Sequence, residues 1–205
     1  IAVSDEDRER FIADYGIAPD RVLTVENSVD PEYFQYRERV GGERPQVVFV
    51  ASFTYPPNVA AAFRLLDQVM PLVRAVVPNA RLWLVGQGAS VGMLARNDEH
   101  TVITGSVEDV RPYLACAHVA CIPLAAGSGS KYKVLEAASA GVPLVCTERA
   151  LQGIELARDE HLLVGQTDRE LADAIVVLLR DPARAQQMAA RAREKVVATH
   201  AWDAN

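Results

Sequence analysis

The stretch VACIPLAAGSGSKYKVLEAASAGVPLVCT, residues 119–147, holds a complete strand–loop–helix–strand unit. Residues 119–122 and 144–146 are short continuous apolar runs, the pattern of parallel strands covered on both faces. Between them the spacing predicts a helix over 131–140, stopped by Gly141 followed by Val142-Pro143. The loop over 124–130 is built from small residues. Gly127 and Gly129 let a ligand approach the backbone, and the first-turn amides of the helix then point at it.

Two lysines, Lys131 and Lys133, fall in that first turn, where the helix dipole already carries about half a positive charge. Acidic residues are the usual choice there, so the excess of positive charge points to a bound dianion such as a diphosphate. Solvated lysines are the plainer alternative. Glu136 lies three residues beyond Lys133, hence on the same side of the helix. Among Val134, Leu135, Ala137 and Ala138 its carboxylate is placed to accept hydrogen bonds from ribose hydroxyls, or else to pair with a lysine.

The same alternation runs outward in both directions. Apolar runs at 47–51, 82–85, 102–104 and 162–164 add four strands, and helical patterns occupy 58–69, 108–117, 168–179 and 184–197. Repeated strand–helix units imply an α/β, Rossmann-like parallel sheet with helices on both faces, whose ligands bind beyond the carboxyl ends of the strands. The loops to search are therefore 52–57, 86–90, 105–107, 124–130 and 147–153. Residues 1–45 differ in character. Ser4 caps an expected helix through Tyr15, residues 21–25 are expected to form a further strand, and 35–45 read as a polar connection.

Half of the 205 residues are hydrophobic and the net charge is −6, so the chain can bury a core but lacks the basic patch a nucleic acid would need. No apolar run approaches the ~20 residues of a membrane span. Cys116, Cys121 and Cys146 have neither metal-type spacing nor a disulfide framework, which fits a reducing, cytoplasmic setting. Gly86-Gln87-Gly88 imitates part of a dinucleotide fingerprint, but no long apolar helix follows it. Asp5-Glu6-Asp7 imitates a metal-holding acidic pair yet follows a helix cap, where acids are ordinary. His100, His118, His161 and His200 have no partner spacing and read as structural or solvated.

Taken together, these segments resemble the group 1 retaining glycosyltransferases. The 125–147 segment is similar to that family's G-S-G-[ST]-[RK]-x-K-[IV]-L-E-A signature, and RVLTVENSVDPEYF at 21–34 is similar to its R-V-x-V-x-P-N-G-V-D-x-x-x-F stretch. VVFVASFTYPPN (47–58), residues 82–88 and VITGSVED (102–109) resemble its first three donor-side strand–loop units. The resemblance implies one half of a GT-B two-domain enzyme. Residues 1–45 are the interdomain connection, 46–199 the nucleotide-sugar donor domain and 200–205 the start of a closing helix. It implies a nucleoside diphosphate sugar as substrate, no cofactor and no metal. The partner is an N-terminal acceptor half outside this sequence, through which peripheral membrane contact is expected.

By that resemblance, Lys131 and Lys133 stabilise the leaving diphosphate. Ser52, Asn58, Gly127, Ser128, Gly129 and Ser130 border the phosphates and sugar, Glu136 holds the ribose, and Gly105 and Val107 border the base. Departures accompany the match. The first of the family's two glutamates falls on Ser128, and the phosphate-binding Arg and Lys of the first loop fall on Ser52 and Asn58. A donor-binding module without transfer, and a sugar-nucleotide epimerase of the same fold, are the alternative readings.

Overall fold

The structure, a computed structural model, describes residues 1–36, 44–127 and 132–202. In chain order the elements are α1 (Asp5–Tyr15), a 3-10 turn (Pro19–Arg21), β1 (Gln46–Val50), α2 (Pro56–Arg64), a π-helical turn (Leu65–Val69), α3 (Met70–Arg74), β2 (Arg81–Val85), α4 (Val91–Leu94) and β3 (Thr101–Ile103). There follow α5 (Arg111–Cys116), β4 (Val119–Ile122), α6 (Tyr132–Ser139), β5 (Leu144–Cys146), α7 (Glu148–Leu151), β6 (Leu163–Val164), α8 (Asp168–Arg180) and α9 (Pro182–His200).

All six strands pair in parallel in the order β3-β2-β1-β4-β5-β6. The fold is thus the Rossmann-like parallel sheet that the sequence implies. Phe49, Leu82, Leu84, Cys121, Leu144 and Val145 are buried, so the sheet is covered on both faces. Right-handed crossovers in this order send α2–α4 to one face and α5–α7 to the other. Helix α8 packs on α3 and on β4–β6, and α9 packs on α6.

Local signals explain the element ends. The Ser4 hydroxyl accepts from the Asp7 amide, and Gly16 closes α1 in the left-handed region at φ 61°. Thr167 and Glu170 form a capping box at the start of α8. The helix expected over 58–69 is longer and interrupted. The Met70 amide reaches back to the Leu65 carbonyl, an i→i−5 bond, just before Pro71, which has no amide to continue the α ladder.

The strand expected at 21–25 is not formed. That segment begins on the last residue of the 3-10 turn and holds a single bridge, Ala2 to Thr24, and only Val22 of its apolar residues is buried. One short neighbour cannot build a ladder. Segment 26–34 is instead secured to the end of α9, where the Val29 amide donates to the His200 carbonyl at 2.8 Å and the Trp202 amide to the Val29 carbonyl. No helix among the described residues is long and apolar enough to cross a membrane.

Candidate functional site

Strand order reverses between β1 and β4, whose following chains leave in opposite directions and open a crevice at their carboxyl ends. A cleft of about 510 Å³ lies there. Its walls come from the loops after β1 (Ala51, Ser52, Tyr55, Asn58), β2 (Gly86, Gln87), β3 (Ser106, Val107) and β4 (Leu124, Ala126, Gly127), and from Tyr132, Lys133 and Glu136 of α6.

The loops are held by contacts behind the cleft. The Thr147 hydroxyl, itself buried, donates to the Leu124 carbonyl at 2.6 Å and fixes the start of the 124–127 loop. Arg64 reaches from α2 to Asp168, to the Gln166 carbonyl and to the Pro123 carbonyl, tying α2, the β4 exit and α8 together. The loops after β1 and β2 touch backbone to backbone. Gly86 has φ 138°, and a Cβ there would lie 2.0 Å from the Ala51 carbonyl oxygen.

Lys133 and Glu136 occupy one turn of α6 and face the cleft. Neither makes a hydrogen bond or ion pair among the described residues. Burial pushes the Glu136 carboxyl above the usual carboxylate range, and the Lys133 ammonium pulls it partly back. Burial likewise lowers Lys133, with Glu136 opposing. Burial therefore penalises each charge in the cleft wall, and a ligand that brings opposite charge or hydroxyl donors relieves it.

Among the other residues singled out by sequence, Ser52, Asn58, Val107 and Gly127 line the cleft. Gly105 does not. It makes the left-handed turn at φ 68° that delivers Ser106 and Val107 to it. Asn58 is only 5% exposed, and its amide NH2 donates to the Ser52 carbonyl at 2.8 Å, leaving Oδ1 without a partner. Its donor is thus spent on holding the loop. The space that the missing side chain of Gly127 leaves is met by the Tyr55 hydroxyl and Pro57. Ser128, Gly129, Ser130 and Lys131 lie outside the described residues.

Sequence reasoning did not assign Tyr55, Gln87 or Tyr132 to the site, whereas Ser106 falls within the 105–107 turn expected to border the base. The loops carrying the first two were marked by their place after strands, which was the available signal. Gly86 and Gln87, weighed only as a dinucleotide fingerprint, border the cleft through their packing on the β1 loop. The histidines are structural in their contacts: His118 Nδ1 accepts from the Gln46 amide and His161 Nδ1 from the Ala157 amide. Cys121 and Cys146 are buried in β4 and β5, and burial pushes the Cys121 thiol up to about 12. Asp5, Glu6 and Asp7 form the first turn of α1, away from the cleft.

A parallel sheet with its cleft at the switch point, faced by a lysine and a glutamate on α6, places the chain in the Rossmann-like class of α/β domains. The family model described as glycosyl transferases group 1 matches residues 44–181, and the chain belongs to that family. It is 29% identical over 225 residues to a GDP-mannose-dependent alpha-(1-6)-phosphatidylinositol monomannoside mannosyltransferase of Mycobacterium tuberculosis, covering 98% of this chain and 57% of that protein. It is 26% identical over 167 residues to a phosphatidyl-myo-inositol mannosyltransferase of Propionibacterium freudenreichii, covering 79% of this chain and 41% of that protein. A solved glycosyltransferase from Rickettsia africae shares the fold at a TM-score of 0.78 and 14% identity, covering 99% of this chain and 59% of that one. The chain thus spans about half the length of such relatives, between 41% and 59% of each.

Proposed function

We propose that this chain is the donor half of a retaining glycosyltransferase, which moves a hexose from a nucleoside diphosphate sugar to an acceptor held by a second half. The observation that carries the reading is the pair Lys133 and Glu136. Both are half-buried and make no hydrogen bond or ion pair among the described residues, on one helical turn at the switch-point cleft. In this reading Glu136 accepts the ribose hydroxyls and Ser106 and Val107 border the base. Lys133, with Lys131 and the first-turn amides of α6, stabilises charge developing on the departing diphosphate. Retention follows from the family resemblance, in which the acceptor enters on the face the diphosphate leaves. No metal is needed where lysines and the helix dipole neutralise the phosphates.

GDP-mannose is the first donor to test, because the Mycobacterium tuberculosis relative is described as dependent on it. Residues 1–45 and 200–205 are read as the joint to the acceptor half. In support, α1 buries none of its residues, and Ile1, Leu23 and Val25 stand exposed beside it. Three free cysteines fit a reducing cytoplasm, and any contact with a membrane surface falls to the acceptor half. Ser128, where the family has its first glutamate, favours a second reading of binding without transfer.

Calorimetric titration of GDP, UDP, ADP and dTDP and their hexose conjugates against the chain tests the proposal. One diphosphate series is expected to bind. Binding by none of them would end it.

A further inference from the structure

We infer that Tyr55 is a further ligand-binding residue, whose hydroxyl donates a hydrogen bond to the diphosphate of the nucleotide held in the cleft. The inference rests on the donor-site reading above and adds a contact on the wall opposite Lys133.

The backbone fixes where Tyr55 points. It is the residue before α2 and precedes Pro56-Pro57, so it is confined to extended backbone, as found at φ −95° and ψ 118°. From there its hydroxyl comes to rest on the 124–127 loop. A Cβ on Gly127 would lie 3.0 Å from the Tyr55 Oη and 3.4 Å from the Pro57 side chain, and Gly127 has φ 106°. Only glycine gives the hydroxyl this seat, close to the end of the loop that leads into α6. Tyr55 is 41% exposed and lines the cleft, and its hydroxyl has no hydrogen-bond partner among the described residues.

On the same wall the Tyr55 hydroxyl is a side-chain donor that no hydrogen bond among the described residues engages. The Asn58 NH2 is committed to the Ser52 carbonyl, and the free Oδ1 is an acceptor, which repels phosphate oxygen. The Ser52 and Thr54 hydroxyls pair at 2.8 Å, which engages one of their two protons. The β1 loop therefore presents no side-chain cation to the cleft, and a phenol takes the position of a neutral donor to an anion. Such charge-assisted hydrogen bonds are roughly twice as strong as neutral ones.

The test compares Tyr55→Phe, which removes only the hydroxyl, with Tyr55→Ala and the unaltered chain, after thermal melts confirm that each is folded. The probes are GDP, UDP, ADP and dTDP, each beside its nucleoside. The expected result is that Y55F weakens the binding diphosphate by roughly tenfold and leaves its nucleoside unchanged. Unchanged or tighter diphosphate binding by Y55F overturns the inference, whether or not Y55A weakens it through loss of the ring. Equal losses for diphosphate and nucleoside overturn it too. If the unaltered chain binds none of the diphosphates, the donor-site reading falls and takes this inference with it, an outcome distinct from a site that binds but ignores the hydroxyl.

Discussion

Lys133 and Glu136 share one turn of α6 and face one cleft, yet no ion pair joins them, and burial penalises the charge on each. An ordinary (i, i+3) pair stabilises a surface helix by a few tenths of a kcal/mol. This pair instead sets two charges, each penalised by burial, on one wall of the cleft.

Replacing Glu136 by Gln removes the charge and keeps the shape. If Glu136 accepts ribose hydroxyls, E136Q weakens nucleotide-sugar binding by roughly 10- to 100-fold, the scale of one or two charge-assisted hydrogen bonds. Calorimetry on the folded variant measures it, and unchanged affinity removes Glu136 from the ligand site.

The same carboxyl gives a pH signature in the unliganded chain. Its proton is held more tightly in the folded state than in the unfolded one. Its contribution to stability is therefore fully present below the ordinary carboxylate range near pH ~4 and is lost as pH rises through the raised folded value. E136Q escapes that loss. The difference in Tm, E136Q minus the unaltered chain, is expected to be smallest in acid and to grow toward neutrality before levelling off. A difference that shrinks with rising pH would mean that Glu136 is stabilised as a carboxylate, paired rather than waiting.

Lys133→Ala tests the phosphate role without touching the ribose contact. Binding of a nucleoside diphosphate should fall by roughly tenfold or more while the bare nucleoside is retained, since only the diphosphate offers charge to read. Equal losses would assign Lys133 to the nucleoside, and full retention of both would leave it merely solvated.

Two glycines separate close packing from turn strain. Gly86 and Gly105 both have positive φ, 138° and 68°, but a Cβ at Gly86 meets the Ala51 carbonyl while one at Gly105 meets nothing within 4 Å. Gly86→Ala should cost roughly 2–4 kcal/mol, combining strain with overpacking, and Gly105→Ala only about 1 kcal/mol. At about 2–4 °C per kcal/mol, Tm should drop by roughly 4–16 °C for the first and a few degrees for the second. Equal drops would show that the β1–β2 loop contact contributes nothing beyond the turn.

Much of this fold is legible in the sequence because strands buried on both faces must be apolar throughout. Residues 119–122 and 144–146 are strands over their full expected length. Strand starts are less legible, since Gln46, Arg81 and Thr101 join the ladder by backbone bonds while their polar side chains lie outside the apolar run. Helices α4 and α7 have four residues each, too few to show a 3.6-residue period. At the site, Lys133 and Glu136 are legible because helical spacing alone puts them on one side. Tyr55 is not, because its place depends on a loop seventy residues away that lacks a side chain at Gly127. The use of Asn58 as a loop brace was likewise hidden, for nothing local shows that its donor is taken by Ser52.

The last prediction separates binding from transfer. In the proposed reading the residues that line the cleft supply the groups of the donor side: Glu136 for the ribose, Lys133 and Tyr55 for the diphosphate, and the Ser106–Val107 turn for the base. At the mouth of the cleft Tyr55 and Tyr132 stand 41% and 45% exposed, so water has access to any diphosphate bound there. Transfer needs the acceptor hydroxyl held within near-attack distance and bulk water kept out, effects that together lower a barrier by several kcal/mol. None of the groups assigned above performs either task. The 205-residue chain alone should therefore bind donor and leave it intact, while a full-length protein carrying an acceptor half transfers the sugar. Incubation with a radiolabelled hexose donor and membrane or soluble acceptors, with separation of labelled product, measures both. Transfer by the chain alone at a rate matching the full-length protein would show that the acceptor site lies within these residues, and the two-half reading would be wrong.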